Sequence, residues 1–228
     1  MSEARRQFRV QLAALEERAM GALDLVVQEL EQTIEALEHQ DIELGQIVVH
    51  TDHDLDARCI EIHQGLLSLL ALQAPVAGDL RLVAALLHLI KYVERMGNQC
   101  VSIVGLLPLA GHEPPVQSEI HHRLVQMGHF ARAEVVQCRR SFSERNVPMA
   151  EDLVTRDRDI NRLNREIFRL AVAAGGDGDA REWAMIMTLV ARAFERIGDN
   201  AVDIGEQTVF VVTGLFREFS DSPPVVAR

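Results

Sequence analysis

The sequence holds no stretch of alternating apolar and polar residues that reads as a β-strand, and aromatic residues make up only 4% of it. Leu, Ala, Glu, Gln and Arg dominate over β-branched runs, which excludes a sheet-based fold and leaves helices. The cysteines Cys59, Cys100 and Cys138 are odd in number, far apart and in no CxxC pair, excluding both a disulfide framework and a thiolate zinc site. Positive charge is scarce. With 23 Lys and Arg against 34 Asp and Glu the formal charge is -11, which argues against duplex nucleic acid, a partner that calls for a basic patch. Long apolar runs are missing as well: Leu82 to Ile90 is bracketed by Arg81 and Lys91, far below the roughly 20 residues that span a bilayer. The first residues, MSEARRQFRV, lack an apolar signal core, and the helix that follows is too acidic for a transit peptide. These absences point to a soluble cytoplasmic protein in a reducing compartment. No GxSxG, Walker A loop or GxGxxG is present.

What is present is helical periodicity. Apolar residues recur at spacings of three and four from about Glu3 to Glu38: Phe8, Leu12, Leu15, Met20, Leu23, Val27, Leu30 and Ile34. A break near His39 to Asp41 precedes a second helix over Ile42 to Leu72. Pro75 and Gly78 mark the next turn, and a third helix runs from about Val76 to Leu107. The breaker-rich PLAGHEPP, Pro108 to Pro115, separates two halves. A fourth helix is expected over Val116 to Glu144, a fifth over Pro148 to Ala173, a turn at Gly175 to Gly178, and a sixth over Asp179 to Phe219. The expectation is an all-α chain in which residues 1–110 and 111–220 form two similar three-helix bundles and 221–228 a frayed tail.

The halves repeat one another. YVERMGNQCVSI, Tyr92 to Ile103, superposes on AFERIGDNAVDI, Ala193 to Ile204; likewise HTDHDLDARCIEI, His50 to Ile62, resembles TRDRDINRLNREI. Asp52 then matches Asp157, Asp56 matches Asn161, Glu94 matches Glu195 and Asn98 matches Asp199. Asp52 with Asp56, Glu94 with Asn98, Asp157 with Asn161 and Glu195 with Asp199 each stand four apart on one helical face, so facing helices can converge their oxygens on a shared site. Hard cations such as Mg²⁺ or Mn²⁺ favour oxygen ligands, and iron and zinc accept them. One such pair alone is ordinarily a solvated face with Lys91, Arg192 or Arg196 beside it. Four pairs at matching positions favour function, although the amides Asn98 and Asn161 lower the charge. Asp203, on the same side as Glu195 and Asp199, is secondary because Ser102 stands in its place in the first half. His63 and the single ExxH of Glu119 to His122 are weaker ligand candidates. Gly97 and Gly198 recur at one level, each at a helix-interior cost of about 1 kcal/mol against alanine, which suggests close approach there.

The repeated ERMGN and ERIGD helices, together with QAPVAGDLR, Gln73 to Arg81, resemble the PhoU family over nearly the whole chain. The second half has AGGDGDARE where that turn would recur. The resemblance implies two three-helix bundles with pseudo-twofold symmetry whose E(D)xxxD motifs hold iron or other metals, zinc included, in multinuclear clusters on the surface. The positions matching the motif are Asp52, Asp56, Glu94, Asn98, Asp157, Asn161, Glu195 and Asp199. It also implies a cytoplasmic regulator of phosphate homeostasis, damping a phosphate ABC transporter and its sensor histidine kinase; a homodimer is expected, and the repeated acids without a catalytic constellation point to a non-enzyme. A metal-dependent enzyme of the di-iron carboxylate type and a metal-free helical scaffold are the alternatives.

Overall fold

The computed structural model describes residues 3–72, 75–111, 118–174 and 178–219. It contains six long helices: α1 (Glu3–His39), α2 (Ile42–Leu72), α3 (Ala77–Leu106), α4 (Glu119–Glu144), α5 (Val147–Ala173) and α6 (Gly178–Thr213). A short 3-10 turn, Leu107–Ala110, extends α3. No strand occurs among the described residues, and no helix among them is long and apolar enough to cross a membrane.

Local chemistry sets most of the boundaries. After α1, Gln40 turns into the left-handed region at φ 54°, and the Asp41 carboxylate accepts from the Leu44 N–H at 2.9 Å to open α2. Ser118 caps α4 by accepting from the His121 N–H, and Asn146 caps α5 by accepting from the Met149 N–H at 3.1 Å. The sixth helix is shorter than the periodicity suggests. It stops at Thr213 instead of continuing to Phe219, because Gly214 takes φ 76° and its N–H closes onto the Phe210 carbonyl at 2.8 Å. The chain beyond folds back on α6: the Phe219 N–H donates to Glu206 Oε1 at 2.6 Å, and Phe216 packs on Phe210. The expected turn at 175–178 gives Gly178 to α6, and its other three residues lie outside the described residues, as do 116–117 and the tail 221–228.

In each half the helices pack on one another, α1 with α2 and α3, and α4 with α5 and α6, and the halves meet where α1 contacts α4 and α3 contacts α6, the latter more extensively than any two helices of the first half touch. Both joints are antiparallel. Along the first, Arg132 pairs with Glu31, Arg139 with Asp24 and Arg145 with Glu16, so α4 ascends as α1 descends. Along the second, Arg81 lies against Gly214 at the far end of α6, while Tyr92 senses Asp203 and Glu206. Consequently α1, α3, α4 and α6 form the middle of the molecule, with α2 and α5 on the outside. One apolar core runs through all of it, with Leu30, Ile62, Leu89 and Met96 in the first half and Phe142, Ile160 and Phe194 in the second fully buried. Each such side chain contributes roughly 1.5 to 3 kcal/mol by leaving water.

Candidate metal centres

Two acids sit where the apolar stripe of a helix should continue uninterrupted. Glu29 of α1 lies between Val26 and Leu30 and has no exposed surface; Glu134 of α4 lies between Ala131 and Val135 and is 1% exposed. All four of their carboxylate oxygens are buried without a hydrogen-bond partner. Such a group costs several kcal/mol as an anion unless it is protonated, paired or ligated.

Around Glu29 the neighbouring helices bring the acids of the first half. Asp52 of α2 is buried, Asp56 is half-buried, and one oxygen of each is also buried without a hydrogen bond. Burial, reinforced by Asp52 and then Asp56, pushes the Glu29 carboxyl up to about 8. Asp52 rises to about 6 through burial and the charge of Asp56, with His53 opposing and Glu94 adding. Glu94 of α3 is held by Lys91 at 2.8 Å. Asn98 is exposed, and its amide donates to the Glu94 main-chain carbonyl at 2.9 Å. Cys59, one turn beyond Asp56, is buried, and burial with Glu94 and Asp56 lifts its thiol to about 12, so it stays protonated.

The second half repeats the plan with changed details. Glu134 rises to about 9 through burial and Asp157, with Arg156 opposing and Asp199 and Asp159 adding. Asn161 of α5 donates its side-chain amide to Asp157 Oδ2. Glu195 of α6 is tied to Arg192, and Asp199, on the exposed side, is raised by burial against the pull of Arg192 and Arg196. Asp203 is raised by burial and Asp199, with Arg95 of α3 opposing, and so belongs to the α3–α6 joint.

The glycines explain how three helices come this close. A Cβ added to Gly97 would collide with the Asp52 carboxylate and Leu55 and stand 3.2 Å from Glu29 Oε2. One added to Gly198 would stand 2.8 Å from Asp157 Oδ1, 3.0 Å from Ile160 and 3.1 Å from Glu134 Oε2. In each half, then, the third helix supplies an open patch of backbone facing a carboxylate from each of the other two.

The structure therefore brings Asp52 and Asp56 together with Glu29, within electrostatic reach of Glu94, and Asp157 with Glu134, within reach of Asp199. Asn98 is spent on its own helix and Asn161 on Asp157. His63 is exposed, and in the ExxH segment Glu119 pairs with Arg123 while the His121 ring meets the Leu37 carbonyl. Glu29 and Glu134, which periodicity alone assigns to the core, were detectable as glutamates on apolar stripes at equivalent places in the two halves. Among the described residues no group of three or more His, Cys, Asp or Glu side chains is gathered closely enough to hold one ion as it stands. The donor set nevertheless fits a cation: it offers oxygens only, its carboxylates repel one another, and those of Glu29, Asp52, Glu134 and Asp157 are buried.

The family model described as the PhoU domain matches residues 20–107 and 124–208. The phosphate-specific transport system accessory protein PhoU homolog of Clostridium acetobutylicum is 25% identical over 223 residues, covering 95% of this chain and 99% of the relative. Crystal structures of PhoU from Pseudomonas aeruginosa and of the phosphate transport system regulatory protein PhoU from Streptococcus pneumoniae share the fold. Their TM-scores are 0.86 and 0.85 at 22% identity, over 91% and 92% of this chain and 100% and 99% of theirs. Matched by the domain model in both halves, this chain belongs to the PhoU family.

Proposed function

We propose that the chain is a non-catalytic, metal-binding regulator of phosphate uptake and phosphate-starvation signalling in the cytoplasm. It acts as a homodimer, through contacts with a phosphate ABC transporter ATPase and its sensor histidine kinase. The observation that carries the metal part is the same three-helix arrangement of buried carboxylates occurring twice, around Glu29 and around Glu134. The regulatory part rests on family membership and on the accessory and regulatory roles in the names of the relatives. Iron or zinc, singly or in a multinuclear cluster, would be held by Asp52, Asp56 and Glu94 with Asn98 at the rim, and by Asp157, Glu195 and Asp199 with Asn161. Mn²⁺ and Mg²⁺ suit the same oxygens. Bound metal supplies the positive charge that offsets the crowded acids, and it acts on partners only by favouring one arrangement of the helices over another.

Metal analysis of protein purified without chelator tests the first part: wild type should retain metal, and Glu195→Gln/Asp199→Asn should lose the share held by the second half. Equal content in both proteins would remove those residues as ligands. Deletion in the native host should raise phosphate-starvation gene expression in high phosphate, and no rise would sink the regulatory reading.

A further inference from the structure

Alongside the second acidic centre, α5 and α6 form an open recess of about 530 Å³ lined by Asn164, Arg165, Phe168, Arg169, Thr188 and Arg192. Its size lies within the range of small-ligand sites. Three arginines line it in a chain whose formal charge is -11. The nearby acid Glu166 is committed to Arg123 and Arg162, and Arg192 pairs with Glu195. Neither Arg165 nor Arg169 forms an ion pair with a described acid. The aromatic ring in the lining, Phe168, is left 61% exposed.

The fold does not demand this set. The equivalent places in the first half are Cys59, Ile60, His63, Gln64, Leu87 and Lys91, so the same pair of helices is built there with one cation and no phenyl ring. What distinguishes the second half is chemistry suited to two parts of one ligand. A guanidinium presents a planar fork of donors that matches phosphate oxygens, and an exposed ring offers a face on which a flat heterocycle stacks. Asn164 and Thr188 add polar groups at the wall.

We propose that this recess binds a nucleotide, with Arg165, Arg169 and Arg192 on the phosphates and Phe168 stacked on the base. None of its lining residues is a proposed metal ligand, although it adjoins the second acidic centre through Arg192. Because Arg192 also holds Glu195, phosphate and carboxylate share one guanidinium.

Titration of the full chain with AMP, ADP and ATP, by calorimetry and with a fluorescent nucleotide analogue, tests the proposal. Saturable binding is expected for at least one of them. Arg165→Gln/Arg169→Gln should weaken it by about tenfold or more, since each loses a hydrogen bond to a charged group. Phe168→Ala should weaken it by about tenfold through lost stacking. All three side chains are exposed, so circular dichroism should show the variants folded. Adenosine should bind far more weakly than AMP, and Lys91→Gln, at the matching place in the first half, should leave binding unchanged. Absence of saturable binding at millimolar nucleotide would overturn the proposal. So would binding indifferent to the arginine pair, or inorganic phosphate binding as tightly as AMP and indifferently to Phe168→Ala.

Discussion

The two halves place a glutamate, an aspartate and a glycine at equivalent points on three helices, yet they treat the next turn of the second helix differently. In the first half Asp56 adds a charge beside Asp52 and Glu29, raising both, and leaves an oxygen buried without a hydrogen bond. In the second half Asn161 takes that place and donates to Asp157. One carboxylate-to-amide difference thus turns a repulsion into a bond. The first centre has no side-chain amide to balance its carboxylates, while the second is partly balanced by its own side chain.

The largest expected effect probes that difference through metal. Asp52→Asn/Asp56→Asn should abolish metal at the first centre, and Asn161→Asp should tighten metal at the second, read as metal retained after dialysis against a weak chelator. Asn161→Asp that leaves retention unchanged would break the comparison.

Protons give the next effect. Glu29 and Glu134 have folded-state pKa values of about 8 and about 9 against an ordinary 4.5. The folded, metal-free protein therefore binds more protons than the unfolded chain between those limits, and stability falls as pH rises through that window. Urea midpoints of the chelated protein should drop steadily from pH 5 to pH 9. Glu134→Gln should flatten the upper part of the curve more than Glu29→Gln does. Metal should release protons on binding, visible as a dependence of the calorimetric heat on the buffer.

Smaller effects follow from packing. Gly97→Ala and Gly198→Ala should each cost about 1 to 3 kcal/mol through overpacking, and should reduce metal retention because the displaced atoms belong to Asp52 and Asp157. Gly214→Ala should cost about 1 kcal/mol by forcing a side chain into the left-handed region. Arg139→Gln, which removes only the partly exposed pair with Asp24, should cost under about 1 kcal/mol.

Periodicity and breakers were enough to read six helices, and α2 begins and ends where they put it. The end of α6 was missed because the apolar pattern continues through Leu215 and Phe216, while the stop is set by one residue, Gly214, whose cost falls on the backbone. The acidic motif was legible as spacing on single helices. Its floor was not, because Glu29 and Glu134 come from the remaining helix of each half, and only packing shows that those positions meet Asp52 and Asp157. For the same reason Asn98, equivalent to Asp199 in sequence, could be placed on a face but not seen to bond its own helix.

The antiparallel seams, α1 along α4 and α3 along α6, have the geometry of a contact between two like subunits about a twofold axis, here fused into one chain. A polypeptide cut between the halves would leave each piece with a bare apolar flank. Such pieces should recombine when mixed, and either one expressed alone should pair with its own copy.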